Sequence, residues 1–478
     1  MVIWEIPVER TFHMPRLIIE GGYVLTMNPE REIIRDGAVV VDGNKISWVG
    51  KQADLTDAQR EGARIIDAAE KLVLPGLVDA HVHNSQMLAR GISDDVDLVT
   101  WLYERILPYE ALVTEEDAYT STLLCCMEMI RTGTTTTADP GSYRMDAVAR
   151  AMADIGIRGI ISWAANDDPA PDRPLPEGLP GNVSTEDSIR IQNELIDRWQ
   201  GAENGRIGVS YSIRTEVNAS ETLLKEIHRL SERDGLIAQM HVAVVPAQSE
   251  YMRKKTGKTS VEYLGSIGCL GPNWLLTHMA WLSDREVELL AETDTRVCHC
   301  PGAALKCVYG SISQGKFPEM FARGITIALG CDASAANNTL DMFRAMYHVS
   351  TAHKEARMDA SLLPPEKALE MATLDSARAL KLDGEVGSLE AGKKADAIVV
   401  NPRRPNWLPL HEFSIVPNIV YAGDGHDVET SVIDGRIVME NGRLTTVDEE
   451  EILEKAQRAG ERLVSELPYR LKPQWPVV

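Results

Sequence analysis

The chain has 478 residues, 44% hydrophobic and 25% charged, the balance of a soluble globular protein with room for one large domain and a smaller one. Its 49 basic and 71 acidic side chains give a net charge of −22, which repels nucleic acid and anionic membranes and sets both aside as partners. No apolar run approaches the ~20 residues of a membrane span, and residues 1–14 carry Glu5, Glu9 and Arg10 where a signal peptide has an apolar core, so a cytoplasmic protein is expected.

In chain order, residues 16–50 read as β structure: short apolar runs separated by Gly21-Gly22 and Asp42-Gly43-Asn44 predict hairpins. The same texture returns at 395–400 and 432–438, so both chain ends are expected to build one small β-sandwich domain, from residues 15–74 and 384–445. Between them, over 75–383, apolar strand-like runs alternate with helical segments, the pattern of parallel strands with crossover helices. Candidate strands are 72–81, 134–139, 158–163, 206–213, 236–241, 274–278, 295–300 and 325–332. Eight βα units over this length predict an α/β fold, a (β/α)8 barrel, and no Gly-rich phosphate loop follows the first strand to favour an open sheet. A helix is expected to start at Thr114, with Asp117 completing a capping box, and to stop at Gly133. Residues 167–181, rich in proline and aspartate, read as a long loop on the active-site face able to shape a lid. Residues 446–478 read as a surface helix and tail.

The seven cysteines, an odd number in mostly apolar surroundings, resemble reduced core thiols; Cys298-His299-Cys300 has no second CxxC to make a zinc site. The ends of the strands carry the chemistry. The first ends at His81 and His83, the fifth at His241, the sixth at His278 and the eighth at Asp332, each after an apolar run. Functional residues of a barrel sit at these ends, and all five can bind a metal ion. His13, His228, His348, His353, His411 and His426 lie elsewhere and read as ordinary residues, while the direction of His299 stays open.

Leu74-Pro75-Gly76-Leu77-Val78-Asp79-Ala80-His81-Val82-His83 resembles the entry motif of the amidohydrolase superfamily, Gly330-Cys331-Asp332-Ala333-Ser334 its strand-eight motif, and Gly387-Ser388-Leu389-Glu390-Ala391-Gly392 the return into its small β domain. The branch it resembles holds triazine hydrolases and cytosine-deaminase-like aminohydrolases. The resemblance implies one divalent metal ion held by His81, His83, His241 and Asp332, with His278 near the ion or the attacking water, and a homo-oligomer. Zinc is the default; iron, cobalt and manganese also suit this donor set. Strand four has no lysine to bridge two metals, which implies a mononuclear site. Asp332 can accept a proton from attacking water, so Asp332 and His278 are the expected catalytic pair.

The sequence also departs from the family. Where deaminating and dechlorinating members carry a glutamate three residues after the strand-five histidine, this chain has Val244, which cannot move a proton. Strand four ends Ile213-Arg214-Thr215-Glu216, where relatives often carry a histidine near a Pro-Tyr pair. Ring deamination needs a proton on a ring nitrogen, whereas hydrolysis at a carbonyl needs it less. The expected function is therefore a mononuclear metal-dependent hydrolase cleaving a C–N or C–S bond at an amide, carbamate, thiocarbamate or urea-like carbon of a small molecule. The alternative is an aminohydrolase or chlorohydrolase of a triazine, pyrimidine, purine or pterin in which Glu216 or Glu250 replaces the missing acid; a lesser one is a catalytically silent metal-binding relative. Gln86, Trp101, Arg214, Glu216, Val244 and Asn337 are candidate substrate contacts, and Ser334 a candidate support for Asp332.

Overall fold

The structure, a computed structural model, describes residues 15–168, 176, 179 and 183–477. The greater part of the loop 167–181, with its expected lid role, and residues 1–14 lie outside the described residues. The N-terminal segment supplies strands β1 (Leu17–Leu25), β2 (Ile33–Asp42), β3 (Lys45–Lys51), β4 (Arg64–Asp67) and β5 (Leu72–Pro75). The middle of the chain supplies β6 (Leu77–Asp79), β7 (Thr134–Ala138), β8 (Arg158–Ile161), β9 (Ile207–Val209), β10 (Tyr211–Thr215), β11 (Ala238–Val242), β12 (Trp274–His278), β13 (Arg296–His299) and β14 (Ile327–Leu329). The C-terminal segment returns with β15 (Ala397–Val400), β16 (Val428–Ile433), β17 (Arg436–Glu440) and β18 (Arg443–Leu444).

Both chain ends share one nine-stranded sheet, ordered β18-β17-β16-β15-β5-β1-β2-β3 with β4 beside β1. The two segments meet where β5 pairs antiparallel with β15, Leu74 opposite Ile398 and Val73 opposite Val399. Alternate residues of a strand face opposite ways. Val73 and Val399 therefore join the core of the small domain with Leu17, Val39 and Val432, and Leu72, Leu74 and Ile398 join the core of the barrel.

The barrel strands pair in parallel as two arcs, β6-β7-β8-β9 and β10-β11-β12-β13-β14. Strand four is broken at Ser210 into β9 and β10, one in each arc. The ring closes between its last and first strands: Ala80 N–H donates to Leu329 O at 2.9 Å and Asp332 N–H to His81 O at 2.8 Å. The expected first strand, 72–81, is two strands. The apolar run serves both sheets and changes hands at Gly76, where a Cβ would come within 2.0 Å of Thr135 Oγ1, so only glycine passes.

At the N-terminal end of the barrel, buried Arg158 donates two bonds of 2.9 Å to Asp396 and contacts Asp434 at 3.3 Å. This network locks the third barrel strand to the small sheet. The helix Glu115–Arg131 starts at Thr114 with the expected capping box through Asp117. The C-terminal helix Glu449–Glu466 packs on it by Ile452, Ala456 and Leu463 and by an Arg462–Asp117 ion pair. Among the described residues no helix is long and apolar enough to cross a membrane.

Candidate metal centre

The C-terminal end of the barrel gathers His81, His83, His241, His278 and Asp332, all but His241 under 5% exposed. The metal-binding atoms of His81, His83 and His241 lie mutually within 4.8 Å, as do those of His81, His278 and Asp332. His83 Nε2 and His241 Nε2 are 3.3 Å apart. The Asp332 carboxylate is 4.0 Å from His81 Nε2, 3.8 Å from His83 Nε2 and 3.9 Å from His278 Nε2.

His81 and His83 stand just beyond β6, and their side chains converge on the same point. This segment is held from below. Asp79 Oδ1 accepts from His81 N–H and Cys331 N–H, both at 3.1 Å, tying the ends of the first and last barrel strands. Asp139, at the end of β7, accepts from Asn84 N–H and Nδ2 at 3.0 and 2.9 Å, fixing the residue after His83. His241 Nδ1 donates to Arg214 O at 2.6 Å, which leaves Nε2 free for a metal. Thr277 Oγ1 lies 3.2 Å from His81 Nδ1 and does the same for that ring. His278 and Asp332 sit at φ +77° and +66°, a conformation that non-glycine residues hold at a cost of about 1–3 kcal/mol each.

Electrostatics favours a cation here. Burial, and then the neighbouring histidines, push His81 and His83 well below the ordinary imidazole value. Burial and then Arg214 bring His241 to about 4. All are neutral and can ligate. Burial pushes the Asp332 carboxyl up to about 7, the position of a carboxylate that lacks a counter-cation. His81 Nε2 is buried without a hydrogen-bond partner. Two nitrogens on a tetrahedral ion lie about 3.3 Å apart, the spacing that His83 and His241 show. The donor set fits one divalent metal ion.

The other candidates separate into three groups. Gln86 and Arg214 converge on Glu110, which sequence reasoning missed: Gln86 Nε2 donates to Glu110 Oε1 at 2.7 Å, and Arg214 Nη2 is 3.6 Å from Glu110 Oε2. Gln86 Oε1 and Arg214 Nη1 are buried without a hydrogen-bond partner, and Glu110 Oε2 has the Arg214 ion pair but no hydrogen bond. Trp101 and Val244 share a buried apolar cluster with Leu88 and Tyr309, and Trp101 Nε1 donates to Ala335 O at 3.3 Å, against the strand-eight turn. Glu216, Asn337 and Ser334 are hydrogen-bonded to neighbouring protein groups. Glu216 accepts from Thr215 Oγ1, Ser260 Oγ and Ala243 N–H at 2.6, 2.7 and 3.2 Å, which commits both its oxygens. Asn337 Nδ2 donates to Thr339 O at 2.8 Å, and Gly302 makes room for its side chain. Ser334 Oγ donates to Gln86 O at 2.9 Å, and the oxygen of Asp332 is held by Ala333 N–H. Glu250 is an exposed residue paired with Lys254.

Residues 72–438 match the model of the amidohydrolase family. The chain is 35% identical over 452 residues to a 5'-deoxyadenosine deaminase of Methanosarcina mazei, covering 95% of this chain and 99% of that protein. It is 35% identical over 442 residues to a 5-methylthioadenosine/S-adenosylhomocysteine deaminase of Syntrophobacter fumaroxidans, covering 92% and 97%. Its fold superposes on a zinc-bound adenosine deaminase of Xanthomonas campestris with a TM-score of 0.86 at 26% identity, over 94% of this chain and 98% of that one. An atrazine chlorohydrolase of Arthrobacter aurescens shares the fold at a TM-score of 0.85 and 22% identity, over 93% and 100%. The chain belongs to the amidohydrolase family and is a metal-dependent hydrolase of carbon–nitrogen bonds other than peptide bonds.

Proposed function

We propose that His81, His83, His241 and Asp332 hold one divalent ion, zinc in the first instance, and that the enzyme hydrolyses the C–N bond of a small amide, carbamate, thiocarbamate or urea. The observation that carries the choice is the fate of the carboxylates near Val244. Glu216 is saturated by internal donors and Glu250 points to solvent, so neither is placed to protonate a heteroaromatic ring.

When bound, the ion supplies Lewis acidity, which polarises a carbonyl and acidifies water. Asp332 receives the proton of the attacking water and passes it to the departing nitrogen. His278, fixed at its positive φ, orients the water. Arg214 and Glu110 form an ion pair in which Arg214 Nη1 and Glu110 Oε2 make no hydrogen bond, a donor and an acceptor that match the C=O and N–H of one amide or urea. Leu88, Trp101 and Val244 supply an apolar wall for the rest of the substrate.

The second reading is deamination of a 5'-deoxyadenosine-type nucleoside, which the 35% identity to proteins of that name supports. Zinc-loaded protein offered acetanilide, phenyl carbamate, N-phenylurea, adenosine and 5'-deoxyadenosine separates the two. Cleavage of the carbonyl compounds at a kcat/KM above that of ammonia release from the nucleosides is expected; the reverse order replaces the proposal by the second reading.

A further inference from the structure

Tyr309 is a residue that neither motif nor family assigns a role, yet it is built into the wall of the metal centre. Val308 at φ +53° and Gly310 at φ +88° make the turn around it, so that Val308 is 81% exposed and Tyr309 only 2%. Trp281 Nε1 donates to the Tyr309 carbonyl at 2.7 Å, and Tyr309 N–H donates to Ala304 O at 3.2 Å. With its backbone fixed twice, the ring meets His278 edge-on, centroids 5.1 Å apart at 75°. It shares one apolar cluster with Val244 and Trp101.

The hydroxyl is the informative atom. Two other fully buried tyrosines commit theirs to oxygen partners, Tyr109 to Ser85 O at 2.9 Å and Tyr211 to Asp234 Oδ2 at 2.7 Å. Among the described residues Tyr309 has no such oxygen partner; its neighbour is the Cys307 thiol, a weak acceptor that a substrate nitrogen displaces. A phenol keeps its proton at neutral pH and can donate it.

We propose that Tyr309 is a catalytic residue whose O–H hydrogen-bonds the leaving nitrogen, on the side of the pocket where Val244 offers nothing. The inference rests on the proposed reaction at Asp332. Water forms a C–O bond to the carbonyl carbon and yields a proton to Asp332. The C–N bond breaks with its electron pair on nitrogen, which accepts the Tyr309 hydrogen bond and takes the proton from Asp332. Acid and amine are the products.

The test is the dependence of a Tyr309→Phe effect on the leaving group. With acetanilide, whose aniline is a poor leaving group, kcat falls about 10²-fold; with 4-nitroacetanilide, whose amine leaves with little help, it falls less than about tenfold. Bound zinc and KM stay as in the natural protein. Equal losses on both substrates, or no loss, overturn the proposal. If the natural protein cleaves neither anilide and instead deaminates nucleosides, the carbonyl reading fails while Tyr309 is still tested, on adenosine against 6-chloropurine riboside, whose chloride departs without a proton. A larger loss on adenosine then supports the donor role, and equal losses overturn it.

Discussion

Two groups of buried histidines occupy this barrel, and their ring nitrogens face different things. At the metal centre, His81, His83, His241 and His278 turn nitrogens toward one another and toward Asp332, at 3.3–4.0 Å. On the far side of β13, His299 Nε2 meets His353 Nε2 at 3.1 Å, and the His299 ring stacks on Phe317 with centroids 3.8 Å apart. Both groups are buried and both are neutral. The pair has no carboxylate hydrogen-bonded or ion-paired to it among the described residues, and its two Nε2 atoms satisfy each other. Burial of a histidine therefore says little about metal; convergence of free nitrogens on a carboxylate says much.

Removing a donor from each group is the strongest way to break that contrast. Asp332→Asn or His81→Ala is expected to empty the centre of metal and lower kcat by at least about 10³-fold. His353→Gln is expected to keep full metal content and kcat within about twofold of the natural protein. Metal analysis beside initial rates decides it, and loss of metal from His353→Gln would join the two groups into one site.

The pair should instead appear in acid stability. Burial and then Arg357 lower His353 to about 4, against about 6.5 in the unfolded chain. Between those values the unfolded chain binds more protons, so stability rises with pH from about 4 to 6.5 and is lost as the pH falls through that window. The span is on the order of 3 kcal/mol. Urea unfolding at pH 4.5 and 7 measures it, and His353→Gln is expected to flatten the difference; an unchanged difference means the pair does not contribute.

These histidines also show what the sequence could tell. That His81, His83, His241, His278 and Asp332 gather at one end of the barrel was legible because each follows an apolar run at a strand end, so periodicity and barrel geometry place them together. His299 follows such a run equally well, and nothing in the spacing says that its neighbour is His353, on a helix more than fifty residues later. The split of the first strand at Gly76 was hidden for a related reason: a run buried on both faces shows no alternation to mark where one sheet ends. Glu110 stands on the short helix Leu107–Leu112, too short for its periodicity to mark a face, and Tyr309 in the irregular segment after the seventh strand, where no turn motif reports which way a side chain faces. Arg214 and Gln86 were visible as polar residues near strand ends, but it is the folding of the helix Leu107–Leu112 over the barrel that brings them together at Glu110.

Glu216 sharpens the comparison from the acid side, because it is a buried carboxylate near the centre whose oxygens are all engaged. Glu216→Gln is expected to cost about 1–3 kcal/mol in unfolding free energy through the weakened charge-assisted bonds and to lower kcat less than about tenfold. A general acid would lose about 10²–10⁴ in rate with little change in stability. Thermal unfolding and rates on one preparation distinguish these outcomes, and the second would revive ring deamination with Glu216 as its acid.

The last change restores a proton carrier where the chain has none. Val244 lies among Trp101, Leu88 and Tyr309 in the apolar cluster, and its N–H is already held by Gln248 Oε1 at 2.7 Å. A carboxyl placed there by Val244→Glu keeps that backbone bond. Desolvation raises its pKa, so it is poised to protonate a ring nitrogen near neutral pH. Adenosine deamination is expected to rise about tenfold, and anilide hydrolysis, which does not need that proton, to change by less than that. The measurement is the ratio of the two rates in the variant and the natural protein. A natural protein that already deaminates strongly, and loses that activity on Val244→Glu, would show that the pocket closes around a heteroaromatic ring with valine as part of its wall, and that the proton comes from elsewhere in the centre.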